Sequence, residues 1–205
     1  AVLVHVMARR SADAGPARLV LAGVALGASL SSITGTMTMY NSKAFDSYRF
    51  WVVGSLENRK LEVLLWVAPF LAVGLVLALA SAHSLNALAL GDEQATALGV
   101  NLAVVRGGAF VAITLLCGAA TAAAGPISFI GLVIPHVVRL LVGADQRRLL
   151  AWSVAAGAGL LLAADVAGRL LVRPTELEAG IVTAFIGAPV LLVLALTNRT
   201  VRRSA

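Results

Sequence analysis

Few side chains in this chain could do chemistry, and their spacing excludes most kinds. His5, His83 and His136 are scattered and lack the short intervals at which one element supplies several metal ligands. His136 reads as a packed or interfacial histidine. Cys117 is the sole cysteine and sits inside an apolar run, so it forms no intrachain disulfide and reads as a packing residue. Lys43 and Lys60 are the only lysines and neither follows a glycine, so there is no phosphate loop with which to bind and hydrolyse ATP. Ion-coupled carriers bury carboxylates mid-membrane, but here Asp165 alone lies within an apolar stretch, near its expected outer end. No catalytic residue and no metal site is expected. What remains is recognition chemistry: Asp92-Glu93 set among leucines, and arginines placed at the ends of apolar runs.

The elements that must position these residues are membrane helices. Hydrophobic residues make up 60% of the 205, charged ones 13%, and the mean hydropathy is +0.93. A soluble domain of this length needs more charge to cover its surface. The net charge of +6 does not point to nucleic acid, because the charges fall in short clusters between apolar runs. Residues 107–138, between Arg106 and Arg139, are 32 positions without a formal charge, interrupted at Gly125-Pro126. A crossing helix needs about 20 apolar residues, so this stretch predicts one full helix and a shorter one returning. Further charge-free runs cover 19–42, 63–82, 149–164 and 179–198, giving six membrane helices in an all-α, polytopic bundle. Residues 1–8 read as the end of an earlier helix.

Sidedness follows from the basic residues. With the first complete helix starting in the cytoplasm, ten of the 16 Lys and Arg fall inside and six outside, which places the C-terminus inside. Asn198-Arg199-Thr200 then falls on the inner side, which discounts its glycosylation pattern. Gly23, Gly27, Ser31 and Gly35 line one face of the first helix, and such faces let helices approach closely in lipid. Residues 41–60, with Tyr48 and Trp51, predict a short interfacial helix on the outer side. Residues 83–105 form the longest inner loop, with one or two short helices broken at Gly91 and Gly99. Asp92 and Glu93 fall where a helix dipole favours negative charge. A loop with this much exposed leucine usually meets another protein.

Several of these stretches carry a resemblance. Residues 125–140, from Gly125-Pro126-Ile127-Ser128-Phe129 to Ile134-Pro135-His136-Val137-Val138-Arg139-Leu140, look like the signature of FecCD-type permeases, the membrane subunits of bacterial ABC importers for ferric siderophores, haem and cobalamin. Residues 85–93 with Leu98-Gly99-Val100, residues 163–169, residues 176–190 and Trp51-Val52-Val53-Gly54-Ser55-Leu56 resemble other family stretches in the same order. The resemblance covers nearly all of 18–197. It implies ten helices in the whole permease, so that 1–205 would be a partial domain holding the C-terminal six.

The resemblance also implies a division of labour. A second permease, identical or paralogous, completes a pathway in the bacterial plasma membrane. A cytoplasmic ATPase dimer holds the ATP and Mg, so this chain carries no cofactor. An extracytoplasmic binding protein delivers the cargo. Leu88, Leu90, Gly91, Asp92, Glu93, Ala97, Leu98 and Gly99 would form the ATPase coupling loop. Arg169, and less strongly Arg173, would dock acids of the binding protein, although an interfacial arginine can also snorkel to headgroups. The helix with Gly23, Gly27, Ser31 and Gly35 would line the pathway. Gly125, Pro126 and Pro135 break helix ladders, as hinges or as plain structure. Residues 46–51 followed by Gly54-Ser55 look more like siderophore members than cobalamin ones. The alternatives are haem or cobalamin as cargo and, from other classes, a stand-alone channel or carrier or a membrane scaffold without transport.

Overall fold

The computed structural model describes residues 16–56, 61–171 and 177–203. Its elements are α1 (Pro16–Met39), α2 (Ser42–Val53), α3 (Leu61–Leu88), α4 (Asp92–Ala97), α5 (Leu102–Ala124), α6 (Ile130–Val142), α7 (Gln146–Leu171) and α8 (Ala179–Arg203). The described residues contain helices and no strand. Val20–Met39, α3, α5 and α7 are long and apolar enough to cross a membrane, and Ile130–Val142 and Ala179–Val193 are shorter apolar helices. These are the six expected runs. The chain divides into two compact units, Ala1–Phe50 and Trp51–Ala205.

In the first unit, α1 is rich in hydroxyls that a bilayer would penalise if left unpaired. Ser29, Ser32, Thr34 and Thr36 each donate to the carbonyl four residues back, and Thr38 to the carbonyl of Gly35, at 2.8 to 3.0 Å. These five hydroxyls are therefore satisfied within the helix. Among the described residues of this unit nothing packs on its small-residue stripe. A Cβ at Gly23, Gly27 or Gly35 would meet no described atom within 4 Å. A small face promotes close approach only where a neighbour presses on it. The short helix expected within 41–60 is α2, where the Arg49 guanidinium lies 5.0 Å from the centre of the Phe50 ring.

In the second unit, α3 and α5 form the most extensive helix pair. They run antiparallel. Val105, Ala112 and Ala119 are buried on α5 and Val67, Gly74 and Ala82 on α3, so each helix buries one residue about every two turns. That repeat is the seam of left-handed membrane helix packing. Gly74 is needed there, because a Cβ at 74 would come within 2.9 Å of Leu116 Cγ. Cys117 corrects an expectation: it is exposed. It stands two residues from Ala119, hence about 200° around the helix from the seam. On α6 and α7, Ile134, Val138 and Leu149 form a second core patch, covered by Ile130, Val142, Ala156 and Leu160.

Size is sorted inside out. The buried set is mostly Ala and Val, while Leu64, Leu65, Trp66, Phe70, Leu132, Leu140, Leu162 and Phe185 are exposed. Water would penalise that surface heavily, whereas lipid solvates it and leaves close packing of small residues to hold helices together. One boundary differs from expectation. The sequence suggested that the apolar run over 63–82 ends at His83, before separate short helices. Instead α3 continues unbroken to Leu88, because residues 83–88 contain no Gly or Pro to stop it.

Candidate functional site

One end of the second unit carries the candidate coupling surface. After α3 the chain turns through Ala89 and Leu90, with backbone bonds from Leu90 N to Ala87 O and from Gly91 N to Leu88 O, both 3.1 Å. Gly91 then adopts φ 111°, ψ 160°, a region open essentially only to glycine. This reverses the chain and starts α4, with Asp92 and Glu93 in its first turn. Ala97 ends α4, Leu98 caps it, and Gly99 at φ 80° leads out. Asn101 caps α5, its side chain accepting from the N–H groups of Ala103 and Val104. Ala95 is 0% exposed and anchors α4, whereas Leu90 and Leu98 are 64% and 65% exposed on either side of it. A short helix pinned by one alanine thus holds two leucines outward.

The two acids of α4 are not equivalent. One Arg106 guanidinium nitrogen reaches both oxygens of Asp92 at 2.7 Å. More than half of each side chain is exposed, and such pairs contribute roughly 0.2–1 kcal/mol. Asp92 is thereby turned toward its own α5, and Glu93 stands exposed beside it. Nothing local in the sequence marked Arg106 as a partner of residue 92.

The neighbouring α6–α7 turn joins the same end. Asn86, in the last turn of α3, donates from Nδ2 to Asp145 Oδ1 at 2.8 Å and accepts at Oδ1 from the Gln146 N–H at 2.8 Å. Asp145 Oδ1 also accepts from the Arg147 N–H at 3.0 Å, capping α7. Arg148 Nε lies 3.9 Å from the carboxylate. The Asn86 hydrogen bond foremost, then the Arg147 N–H, with the Arg148 and Arg147 charges adding to them, holds the Asp145 carboxyl below its ordinary value of 3.8. Arg139, in the last turn of α6, borders a cavity of about 270 Å³ with Pro135, His136 and Leu149.

The opposite end is tied by backbone rather than side chains. Gly180 N donates to Gly54 O and Ser55 N to Ala124 O, both 2.9 Å. The α5–α6 break expected at Gly125-Pro126 spans residues 125–129. Gly125, at φ 79° and ψ 179°, lies where a Cβ would overlap the Trp51 carbonyl oxygen. Phe129 has φ 68°, and its side chain fills the place where a Cβ on Gly187 would go. Phe129, Ala184, Phe185, Ala188 and Pro189 line an apolar cavity of about 350 Å³. Pro135 lies inside α6 without ending it, as membrane helices tolerate. Arg169, in the last turn of α7, pairs with Asp165 at 2.9 Å and keeps 45% of its side chain exposed. Arg173 and residues 1–8 lie outside the described residues. Among the described residues no group of three or more His, Cys, Asp or Glu could hold a metal ion.

Fold and site together define a multi-pass helical membrane protein with a projecting loop helix. A model of the FecCD transport family matches residues 1–197, and the chain belongs to that family. It is 49% identical over 180 residues to the ferric enterobactin transport system permease protein FepD of Escherichia coli (strain K12), covering 87% of this chain and 53% of that one. It is 42% identical over 188 residues to the vitamin B12 import system permease protein BtuC of Yersinia enterocolitica (serotype O:8 / biotype 1B, strain NCTC 13174 / 8081), covering 91% and 56%. The chain thus spans about half the length of these relatives. A solved metal-chelate type ABC transporter in an inward-facing conformation superposes with a TM-score of 0.82 at 30% identity, covering 96% of this chain and 63% of that one.

Proposed function

We propose that this chain belongs to the transmembrane permease subunit of a binding-protein-dependent ABC importer that moves a ferric siderophore into the cytoplasm. The observation that carries the reading is α4, whose buried Ala95 holds Leu90 and Leu98 outward at the end of a membrane bundle. Such a knob suits a cleft on a cytoplasmic ATPase dimer. That dimer carries the ATP and Mg, and this chain acts as a transport subunit rather than an enzyme. Leu88, Gly91, Asp92, Glu93, Ala97 and Gly99 shape the knob, and the C-terminus lies on the same cytoplasmic side. The six apolar helices form the C-terminal part of a ten-helix permease, in keeping with the half of its relatives' length that the chain spans. A second permease completes the pathway, with α1 and its Gly23, Gly27, Ser31 and Gly35 face along it. At the far end, Arg169 meets acids of an extracytoplasmic binding protein. Its i,i+4 bond to Asp165 steadies the guanidinium while leaving much of it exposed, a geometry that favours encounter and register more than affinity.

Siderophore is favoured as cargo by the 49% identity to a ferric enterobactin permease and by the sequence of the α2 stretch at 46–51. The test is uptake of labelled ferric siderophore, haem and cobalamin by cells carrying or lacking the intact gene, with the ATPase active or disabled. Siderophore uptake that requires both gene and active ATPase is expected. Uptake that persists with the ATPase disabled overturns the importer reading. ATP-dependent uptake of haem or cobalamin alone overturns the cargo.

A further inference from the structure

We infer that Asn86 is a positioning residue that clasps the α3–α5 loop to the α6–α7 turn, so that the two loops move as one body when α4 is displaced. The inference rests on the coupling role proposed for α4. Residues 86 and 145 lie 59 positions apart, yet one carboxamide uses its donor and its acceptor on adjacent residues of the second loop, each at 2.8 Å. A carboxamide can donate and accept at once. Flipping it would set its oxygen against the Asp145 carboxylate and its N–H₂ against the Gln146 N–H, so its orientation is fixed by its partners.

Each side of the clasp is joined firmly to a different part of the bundle. On one side, the turn from Leu85 to Gly91 is closed by successive backbone bonds at 3.1 Å and runs directly into α4. On the other, Asp145 caps α7 through its side chain to Arg147 N and its carbonyl to Leu149 N. Leu149 itself packs with Ile134 and Val138 of α6. Apolar contact between membrane helices is non-directional and can slide, whereas two paired hydrogen bonds fix rotation and register. The Asp92–Arg106 pair ties α4 only to α5 and is mostly exposed. The Asn86 clasp is a polar link from the α4 loop to the α6–α7 pair.

The test uses the complete importer, with permease, ATPase and binding protein, reconstituted in vesicles. N86D sets two carboxylates face to face and should lower transport per ATP hydrolysed about tenfold while ATP hydrolysis continues, the scale of losing a hydrogen bond to a charged group. The swap N86D/D145N restores both bonds of the clasp, because the carboxamide moved to position 145 donates to the carboxylate moved to position 86, which still accepts from the Gln146 N–H; only the Arg147 N–H, which shares Asp145 Oδ1 with Asn86, loses its acceptor there. It should recover transport to within about twofold of wild type, as a coupled pair requires. N86A/D145A, which removes the clasp without repulsion, should also transport poorly per ATP, and it gives the answer if N86D does not assemble. Wild-type stoichiometry in N86A/D145A, or a swap no better than N86D, overturns the clasp. Should wild-type vesicles show no ATP-dependent uptake, the importer reading fails by itself. Amide exchange then decides the clasp: faster exchange in N86D at both Gln146 and residues 92–97 supports it, and a change confined to Gln146 overturns it.

Discussion

Glu93 rather than Asp92 carries the free negative charge of α4, because Arg106 already holds Asp92 with two 2.7 Å contacts. Glu93→Lys should therefore slow association with the ATPase subunit, most strongly at low salt, since exposed charges act mainly on encounter and are screened. Asp92→Asn should change ATPase affinity by about 1 kcal/mol or less. Binding measured across a salt series separates the two, and an equal effect of both would contradict this assignment. Asp145 makes a second prediction. Its carboxyl titrates below 3.8, chiefly through Asn86. A depressed carboxyl contributes stability in full above its unfolded value and loses it as pH falls through the folded one. Protection of the Gln146 amide from exchange should therefore be flat from pH 8 to pH 5 and decline only below about pH 4. In D145N that acid limb should disappear. A decline centred near pH 6 would point to a different group.

The helices were legible from charge-free runs, because a bilayer imposes one length and one polarity on every span. So was the break at Gly125-Pro126, which needs only a helix stop within an overlong run. The short helix between Gly91 and Gly99 was legible for the same local reason. What joins these elements was not. The Asn86–Asp145 clasp and the Gly54–Gly180 bond connect residues far apart in sequence, and one chain read alone leaves no periodic trace of such pairings. The exposure of Cys117 was missed because an apolar run in lipid does not say which of its faces is the seam. The glycine positions give a test at this scale. Gly125→Ala forces a Cβ onto the Trp51 carbonyl and places alanine at φ 79°, ψ 179°, where strain of about 1–3 kcal/mol is expected. Gly74→Val overfills the α3–α5 seam against Leu116 and should cost a similar 1–3 kcal/mol, roughly the range of overpacked cores. Gly107→Ala, where a Cβ meets nothing within 4 Å, is the control. Thermal unfolding in detergent should rank the first two well below the control.

For the molecule as a whole, everything proposed about coupling requires that the Asp92 end of the bundle face the cytoplasm. The ten-to-six distribution of basic residues favours it, and so does the need of an ATPase to reach Leu90 and Leu98. Cysteine labelling tests it directly. Cys117 is this chain's own cysteine, so the background is C117A in the intact protein. On it, L98C places one thiol at a position that is 65% exposed beside α4, and a thiol there should react readily with maleimide once in water. A membrane-impermeant maleimide should leave L98C unlabelled in whole spheroplasts and label it in inside-out vesicles. A thiol at Leu170, exposed in the last turn of α7 at the other end, should show the reverse wherever it reaches water. Labelling of L98C from outside would put the leucine knob beyond the reach of a cytoplasmic ATPase. Power would then have to enter from elsewhere, and the clasp at Asn86 would join two loops that no ATPase moves.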